Sequence, residues 1–227
     1  ENDGNPSVRD IHTLTYDAAR EVVVLFGGGD SGDTHLSDTW EYDGQSWREI
    51  IPTDPEGDGN PSGRGSHSLA YDAARGVVVM FGGSGDTHLS DTWEYDGISW
   101  KEITPTDPER DGNPSQRDGH SLVYHAARGV VVLFGGSNDQ HLMDIWEYNG
   151  SSWKQIHSID PELDGHPVAR SDHSLSYDEA RGMVVLFVFF LAAVEGASRQ
   201  RLGFSSAFFS ILVLAEQQLF LAGACCD

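Results

Sequence analysis

The sequence predicts an all-β protein assembled from a tandem repeat of four short strands, and three observations carry that prediction. Trp40, Trp93 and Trp146 stand 53 residues apart, and Trp47, Trp100 and Trp153 keep the same step. Between Glu56–Pro108 and Glu109–Pro161, 36 of 53 positions are identical, far beyond chance. The 227 residues also hold 26 Gly, 6 Trp, 7 Tyr and 10 Phe, a composition of turns and aromatic strands, with no convincing helical period anywhere. A fixed period of this length is the mark of a repeat architecture, and it outranks every local signal.

One unit shows the four strands in order. His67-Ser-Leu-Ala-Tyr71 alternates, with His67, Leu69 and Tyr71 on one face. Asp72-Ala-Ala-Arg75-Gly76 is a polar hairpin loop in which Asp72 accepts from nearby amides and pairs with Arg75. Val77-Val-Val-Met-Phe81 is a continuous apolar, β-branched run, as expected of a strand covered on both faces. Gly82-Gly83 stops it by supplying backbone angles that other residues resist. Asp91-Thr-Trp-Glu-Tyr95 sets Trp93 and Tyr95 on one face and Thr92 and Glu94 on the other, and the turn at Asp96-Gly97 extends toward Ser99. Trp100-Lys-Glu-Ile103 is the fourth strand, and Pro105 to Pro114 is a linker.

A four-stranded sheet of about 50 residues cannot bury its own faces, so successive units must stack side by side, which is the logic of a β-propeller. The motifs resemble those of Kelch repeats. Leu25-Phe-Gly-Gly28, Met80-Phe-Gly-Gly83 and Leu133-Phe-Gly-Gly136 resemble the double-glycine mark, and Arg9/His12, Arg64/His67, Arg117/His120 and Arg170/His173 resemble the openings. The aromatic pairs Tyr42/Trp47, Tyr95/Trp100 and Tyr148/Trp153 complete the pattern. The resemblance covers residues 1 to about 187 and implies a Kelch-type propeller of about three and a half blades: 8–55, 63–108, 116–161 and an incomplete 169–187. Closed propellers have four to eight blades, so closure calls for missing sequence, the tail, or self-association with a second chain. Glu1 to Ser7 is in phase with the linkers at Glu56, Glu109 and Glu162, as expected of a piece of a longer array.

The fourth unit keeps the template through Phe187, then has Val188-Phe189 where Gly-Gly should stand. Residues 188–227 contain no Trp, Pro or Asp-Gly turn. Their apolar stretches of about a dozen residues fall short of the roughly 20 that span a bilayer as a helix. Three readings are open: a cap on the last sheet, a membrane-associated hairpin, or sequence foreign to the repeat. The abrupt change of composition favours the last.

Charge and cysteine content remove whole classes of function. Thirty-six acidic against 14 basic residues give a net charge of −22, which repels phosphate backbones and anionic lipid. No nucleic-acid partner is expected, and no membrane contact except through the tail. Cys225 and Cys226 are adjacent at the end, so neither a disulfide framework nor a Cys-based zinc site is available. Copper-radical chemistry, which some Kelch proteins carry, needs a Cys–Tyr crosslink, and the repeats contain no cysteine.

The sharpest candidate site is the linker. Asp54-Pro-Glu56-Gly-Asp58-Gly59 recurs with Asp107, Glu109 and Asp111, and again with Asp160, Glu162 and Asp164. Carboxylates at alternating positions before a glycine resemble the first half of a calcium loop, so calcium is the candidate ion, with no other cofactor implied. The competing reading is a turn in which these residues serve backbone geometry. Twelve positions on from Asp54 stands Gly65, so a bidentate Glu is lacking there. A second acidic set follows each Gly-Gly: Asp30, Asp33 and Asp38, then Asp86 and Asp91, then Asp139 and Asp144, with His35, His88 and His141 among them. Arg64, His67 and their copies are candidates for lining a channel or for pairing with Glu41, Glu94 and Glu147. Trp and Tyr at fixed strand positions read as core rather than as sugar-stacking platforms.

No Ser, Cys or Lys escapes the repeat pattern as an isolated nucleophile, so no catalytic residue is assigned. The function expected is a non-enzymatic binding module that presents acidic loops to a protein or a glycan. A sugar-modifying mutarotase or epimerase, and a subunit of an extracellular fibre, are the alternatives. The Thr-Trp-Glu-Tyr-Asp-Gly style of repeat resembles that of bacterial secreted proteins, which implies an extracellular, cell-surface or periplasmic location.

Overall fold

A computed structural model describes residues 4–32, 34–157, 167–189, 209–215 and 218–224, and every regular element among them is a β-strand. The first repeat forms β1 (Thr13–Asp17), β2 (Val22–Gly29), β3 (His35–Tyr42) and β4 (Trp47–Ile50). The second forms β5 (Ser68–Asp72), β6 (Val77–Phe81), β7 (Thr92–Tyr95) and β8 (Trp100–Ile103), and the third β9 (Ser121–His125), β10 (Val130–Phe134), β11 (Ile145–Tyr148) and β12 (Trp153–Ile156). Each repeat is one antiparallel sheet with its strands in chain order, so the strand assignments made from the period hold.

The fourth sheet comprises β13 (Ser174–Asp178), β14 (Met183–Phe189), β15 (Phe209–Ala215) and β16 (Gln218–Ala224). Two strands from the non-repeat tail thus occupy its third and fourth positions. The register sets Val213 opposite Val185 and Ile211 opposite Phe187, where the second sheet sets Glu94 opposite Val79 and Thr92 opposite Phe81. Among the described residues no helix is long and apolar enough to cross a membrane.

Successive sheets pack through their first strands, β1 on β5, β5 on β9 and β9 on β13. Both faces of the second and third blades are therefore interior, which accounts for the unbroken apolar run of the second strand: Val78, Val79, Met80 and Phe81 are at most 1% exposed. One face, the leading one, meets the preceding blade and carries Leu69, Tyr71, Val78, Met80, Trp93, Tyr95 and Trp100, packed on Val24 and Phe26 of the first blade. The opposite, trailing face carries Val79 and Phe81 and packs on Trp146, Tyr148 and Trp153 of the third blade. Phe26 meets Trp100 edge-on at 5.2 Å, and Phe81 meets Trp153 at 5.3 Å. Each of these fully buried indoles removes on the order of 200 Å² from water, about 5 kcal/mol by area before entropy is counted.

The polar residues of the third strand prove to be interior as well. Trp100 Nε1 donates to Thr39 Oγ1 of the preceding blade at 2.9 Å, and Tyr95 Oη donates to Glu41 at 3.0 Å. The next junction repeats both, Trp153 to Thr92 at 3.0 Å and Tyr148 to Glu94 at 2.9 Å. Apolar and polar residues alternate here because the aromatic face of one blade carries donors and the facing blade must supply acceptors.

Candidate functional site

The antiparallel registers gather the loops into two ends. At one end stand the Arg-x-x-His segments that lead into β1, β5, β9 and β13, together with the loops that follow Gly-Gly. Here the arginines do not line a channel. Arg64 is 0% exposed, and its five N–H groups are all engaged: Nη1 and Nη2 take Asp91 bidentately at 2.7 Å each, and the others reach Gly82 O, Ser62 O and Ser62 Oγ. Arg117 does the same with Asp144, and Arg9 pairs with Asp38 at 2.7 Å. The partner is thus the aspartate just before the Trp strand, not Glu41, Glu94 or Glu147 as the sequence suggested. Those glutamates bind the hairpin arginines Arg20, Arg75 and Arg128 instead.

The same aspartates accept from the neighbouring indoles, Trp93 Nε1 to Asp91 at 2.7 Å and Trp146 Nε1 to Asp144 at 2.6 Å. Burial alone would raise the carboxyls of Asp38, Asp91 and Asp144, but the guanidinium and indole bonds outweigh it and hold them below the usual carboxylate range. Behind them His67, His120 and His173 pack edge-on against Phe26, Phe81 and Phe134. Burial, reinforced by the adjacent arginine charge, pushes His67 down to about 3 and His173 to about 4, and His120 well below its ordinary value. These are neutral core histidines.

The Gly-Gly pair lets this layer close. Gly82 and Gly83 sit at φ +59° and +97°, and a Cβ on Gly83 would lie 2.7 Å from the Cβ of His67. Gly83 N donates to Arg117 O of the next blade at 2.9 Å, and Gly28 N and Gly136 N make the same bond to Arg64 O and Arg170 O.

The acidic linkers run along the outer edge of the next blade. Asp58 Oδ2 accepts from Glu102 N of the edge strand β8, and Asp111 Oδ2 from Gln155 N of β12, each at 2.9 Å. Asp54 folds its own loop by accepting from Gly57, Asp58 and Gly59 N, and Asp107 accepts from Asp111 and Gly112 N. Glu56 and Glu109 are exposed. Asp160, Glu162 and Asp164 lie outside the described residues, as does Asp33. Among the described residues no group of three or more His, Cys, Asp and Glu side chains is assembled to hold a metal ion.

What the end does present is a row of four equivalent positions, one from each blade. Ser66 N donates to Ile11 O, Gly119 N to Ser66 O and Asp172 N to Gly119 O, at 2.8 to 2.9 Å, so each blade is tied to the last by one backbone bond. All four residues are left-handed, with φ from +45° to +59°, although only one is glycine. Held strain of this kind recurs where a surface is put to use. The position was missed in the sequence because its residues share nothing but their place: Asp10-Ile11, Gly65-Ser66, Asp118-Gly119 and Ser171-Asp172.

That dissimilarity was itself the available signal. Of the 17 differences between the second and third repeats, six fall at this end: positions 63, 65, 66, 85, 87 and 90 against 116, 118, 119, 138, 140 and 143. Both residues of the dipeptide between Arg and His differ between these two blades, and the loop after Gly-Gly differs at three positions, so this end does not repeat from blade to blade. Four exposed carboxylates stand among what is presented there. Asp10 and Asp172 stand in the row and Asp86 and Asp139 in the loops, while Asp118 reaches His88 of the preceding blade at 3.5 Å. His35, His88 and His141 do not converge on one point.

Comparison with known proteins agrees with this geometry. Residues 1–187 match the family described as the KLHDC2/KLHL20/DRC7 Kelch-repeats domain. An F-box/kelch-repeat protein of Arabidopsis thaliana is 32% identical over 202 residues, covering 82% of this chain and 40% of the relative. Mei4-dependent protein 6 of Schizosaccharomyces pombe is 30% identical over 135 residues, covering 54% of this chain and 19% of the relative. The chain therefore spans well under half the length of these relatives. Among solved structures, a chain in the cryo-EM structure of RAG in complex with one melted RSS and one unmelted RSS aligns with a TM-score of 0.55 at 14% identity, over 97% of this chain and 68% of that one, which is a likeness of fold. Four-stranded blades, double-glycine stops and the family match over the same 187 residues make this chain a member of the Kelch-repeat family.

Proposed function

We propose that the chain is a protein-interaction module whose acidic end captures a basic segment of a partner protein. The observation that carries the reading is the coincidence, at one end, of exposed carboxylates with the positions at which near-identical blades differ. Exposed charge of one sign on a surface speeds the encounter with an oppositely charged partner. At the other end the hairpin aspartates are taken up in the ion pairs Asp17/Arg20, Asp72/Arg75 and Asp178/Arg181. A peptide is favoured over a glycan because the tryptophans and tyrosines that would stack on sugar are packed between blades, Trp93, Trp100, Tyr95 and Tyr148 all at most 5% exposed.

The test is affinity capture with three forms of the chain. The unmodified chain and a variant of the opposite end, Asp96→Lys with Asn149→Lys, are expected to retain the same partner. Asp118→Lys with Asp172→Lys is expected to lose it, and raised salt to weaken it. Retention by the Asp118/Asp172 variant would reject the acidic end as the binding face.

A further inference from the structure

The third blade departs from its sisters at one turn. Where the first and second blades carry Asp43-Gly44 and Asp96-Gly97 between their third and fourth strands, the third carries Asn149-Gly150. The turn is otherwise the same. Asp43 Oδ1 accepts from Gln45 N and Ser46 N, and Asp96 Oδ1 from Ile98 N and Ser99 N, all at 2.8 Å. Asn149 Oδ1 accepts from Ser151 N at 2.9 Å and Ser152 N at 3.0 Å. Asp43, Asp96 and Asn149 are all exposed, so exposure belongs to the turn and recurs in the second and third blades, which have a neighbour on either side.

Three features of the turn open the Asn149 side-chain amide to attack by the nitrogen that follows it. Glycine is fixed at position 150, at φ +97°, because a Cβ there would lie 2.9 Å from Nε and Nη1 of Arg75 in the preceding blade. No side chain therefore hinders Gly150 N, and among the described residues no group accepts a hydrogen bond from it. The carbonyl under attack is also polarised. Ser151 Oγ, at 3.0 Å, adds a third donor to the two amides on Asn149 Oδ1, and donors on that oxygen stabilise the negative charge that gathers there during addition. Four other asparagines lack this combination. Asn5, Asn60 and Asn113 precede proline, whose nitrogen has no hydrogen to lose, and Asn138 precedes Asp139 and donates its Nδ2 to Ser115 Oγ at 3.2 Å.

We infer that Asn149 is a self-modification site, at which the folded chain loses ammonia and gains a carboxylate. Gly150 N gives its proton to a base in solvent and bonds to Asn149 Cγ. The Cγ–Nδ2 bond then breaks, and the departing nitrogen takes a proton from water and leaves as ammonia. The five-membered imide that remains takes up one water. Opening at Cγ gives aspartate, and opening at the main-chain carbonyl of residue 149 gives isoaspartate. In sum an amide and water become a carboxylate and ammonium, with water as the sole co-reactant. Aspartate reproduces the turn of the first two blades, in which the amides of Ser46 and Gln45 hold the Asp43 carboxyl below its ordinary range. Isoaspartate instead sets an extra carbon in the main chain between the third and fourth strands. Either product adds one negative charge to the end opposite the Gly-Gly loops.

The experiment follows the intact mass of the full chain during incubation at neutral and at mildly alkaline pH, with peptide mapping and an ammonia assay. The gain expected is one exchange of NH2 for OH per chain, faster at the higher pH, mapped to Asn149 and matched by released ammonia. Asn149→Asp, which installs the residue of the sister blades, should melt at the same temperature and show no gain. A folded chain whose mass stays constant overturns the inference, and conversion of the urea-unfolded chain over the same period would show that the turn protects the amide. A gain that persists in Asn149→Asp, or that maps to Asn138, overturns it as well.

Discussion

Arg64 illustrates how a residue that looks like a ligand-binding group becomes part of the frame. Its charge is buried, its partner is Asp91, and the aspartate also holds Trp93. Removing one member of such a pair leaves an uncompensated buried charge, so Asp91→Ala should lower stability by about 3–5 kcal/mol. Asp86→Ala, on the exposed loop nearby, should change it by less than about 0.5 kcal/mol, and urea denaturation of both variants checks the contrast. Histidine gives a pH dependence whose sign is fixed by its burial. His67 and His173 are held at about 3 and about 4 in the folded chain, so between those values and about 6.5 the unfolded chain binds protons that the folded chain does not. Stability is therefore full above about pH 6.5 and falls as pH drops toward 4, each histidine costing on the order of a few kcal/mol by the end. A denaturation midpoint measured from pH 7.5 to 4.5 should fall steadily, and His173→Gln should flatten the curve. A midpoint unchanged over that range would contradict the neutral buried assignment. The arginine, aspartate and histidine were all visible in the repeat, but their pairing was not, because Asp91 and Glu94 are equally plausible partners until the strand register is known.

Among the elements, the strands were the most legible. The apolar second strand and the alternating third strand were assigned from their patterns, and both match the sheet order. What the alternation could not reveal is that Thr92 and Glu94 face another blade rather than water, since a strand pattern reports two faces without saying what covers each. The double glycine has a function that substitution can separate into strain and space. Gly76 at φ +68° faces open space, so Gly76→Ala should cost about 1 kcal/mol for the left-handed backbone alone. Gly83→Ala adds a clash with the backbone of Gly65 and the Cβ of His67, and should cost on the order of 3 kcal/mol by thermal or chemical denaturation. The linkers invite a different experiment. Their aspartates cap an edge strand and bind their own loop amides, so chelator should leave the melting temperature unchanged. A melting temperature that falls in chelator, and a response blunted by Asp111→Asn, would instead assign calcium to these loops. The linker spacing was legible as a motif, whereas its use was not, because an acceptor for an edge-strand amide and a ligand for a cation are the same group in sequence.

For the whole molecule, the net charge of −22 excluded partners before it identified any. The structure divides that charge by task. Asp38, Asp91 and Asp144 neutralise buried arginines, Asp58 and Asp111 cap edge strands, and the hairpin aspartates close ion pairs at the far end. Of the carboxylates left exposed, Asp10, Asp86, Asp139 and Asp172 stand at the end that carries the variable dipeptides. The variable dipeptide between Arg and His was printed in every repeat, yet repeat detection rewards sameness and passes over the places that differ. The most direct test of the acidic end is the affinity of a partner obtained by capture, measured by calorimetry against the unmodified chain and against Asp118→Ser at low and at raised salt. Weaker binding is expected for Asp118→Ser, with an unchanged melting temperature and a shallower dependence on salt. Equal affinity and an equal salt dependence for the two chains would contradict it.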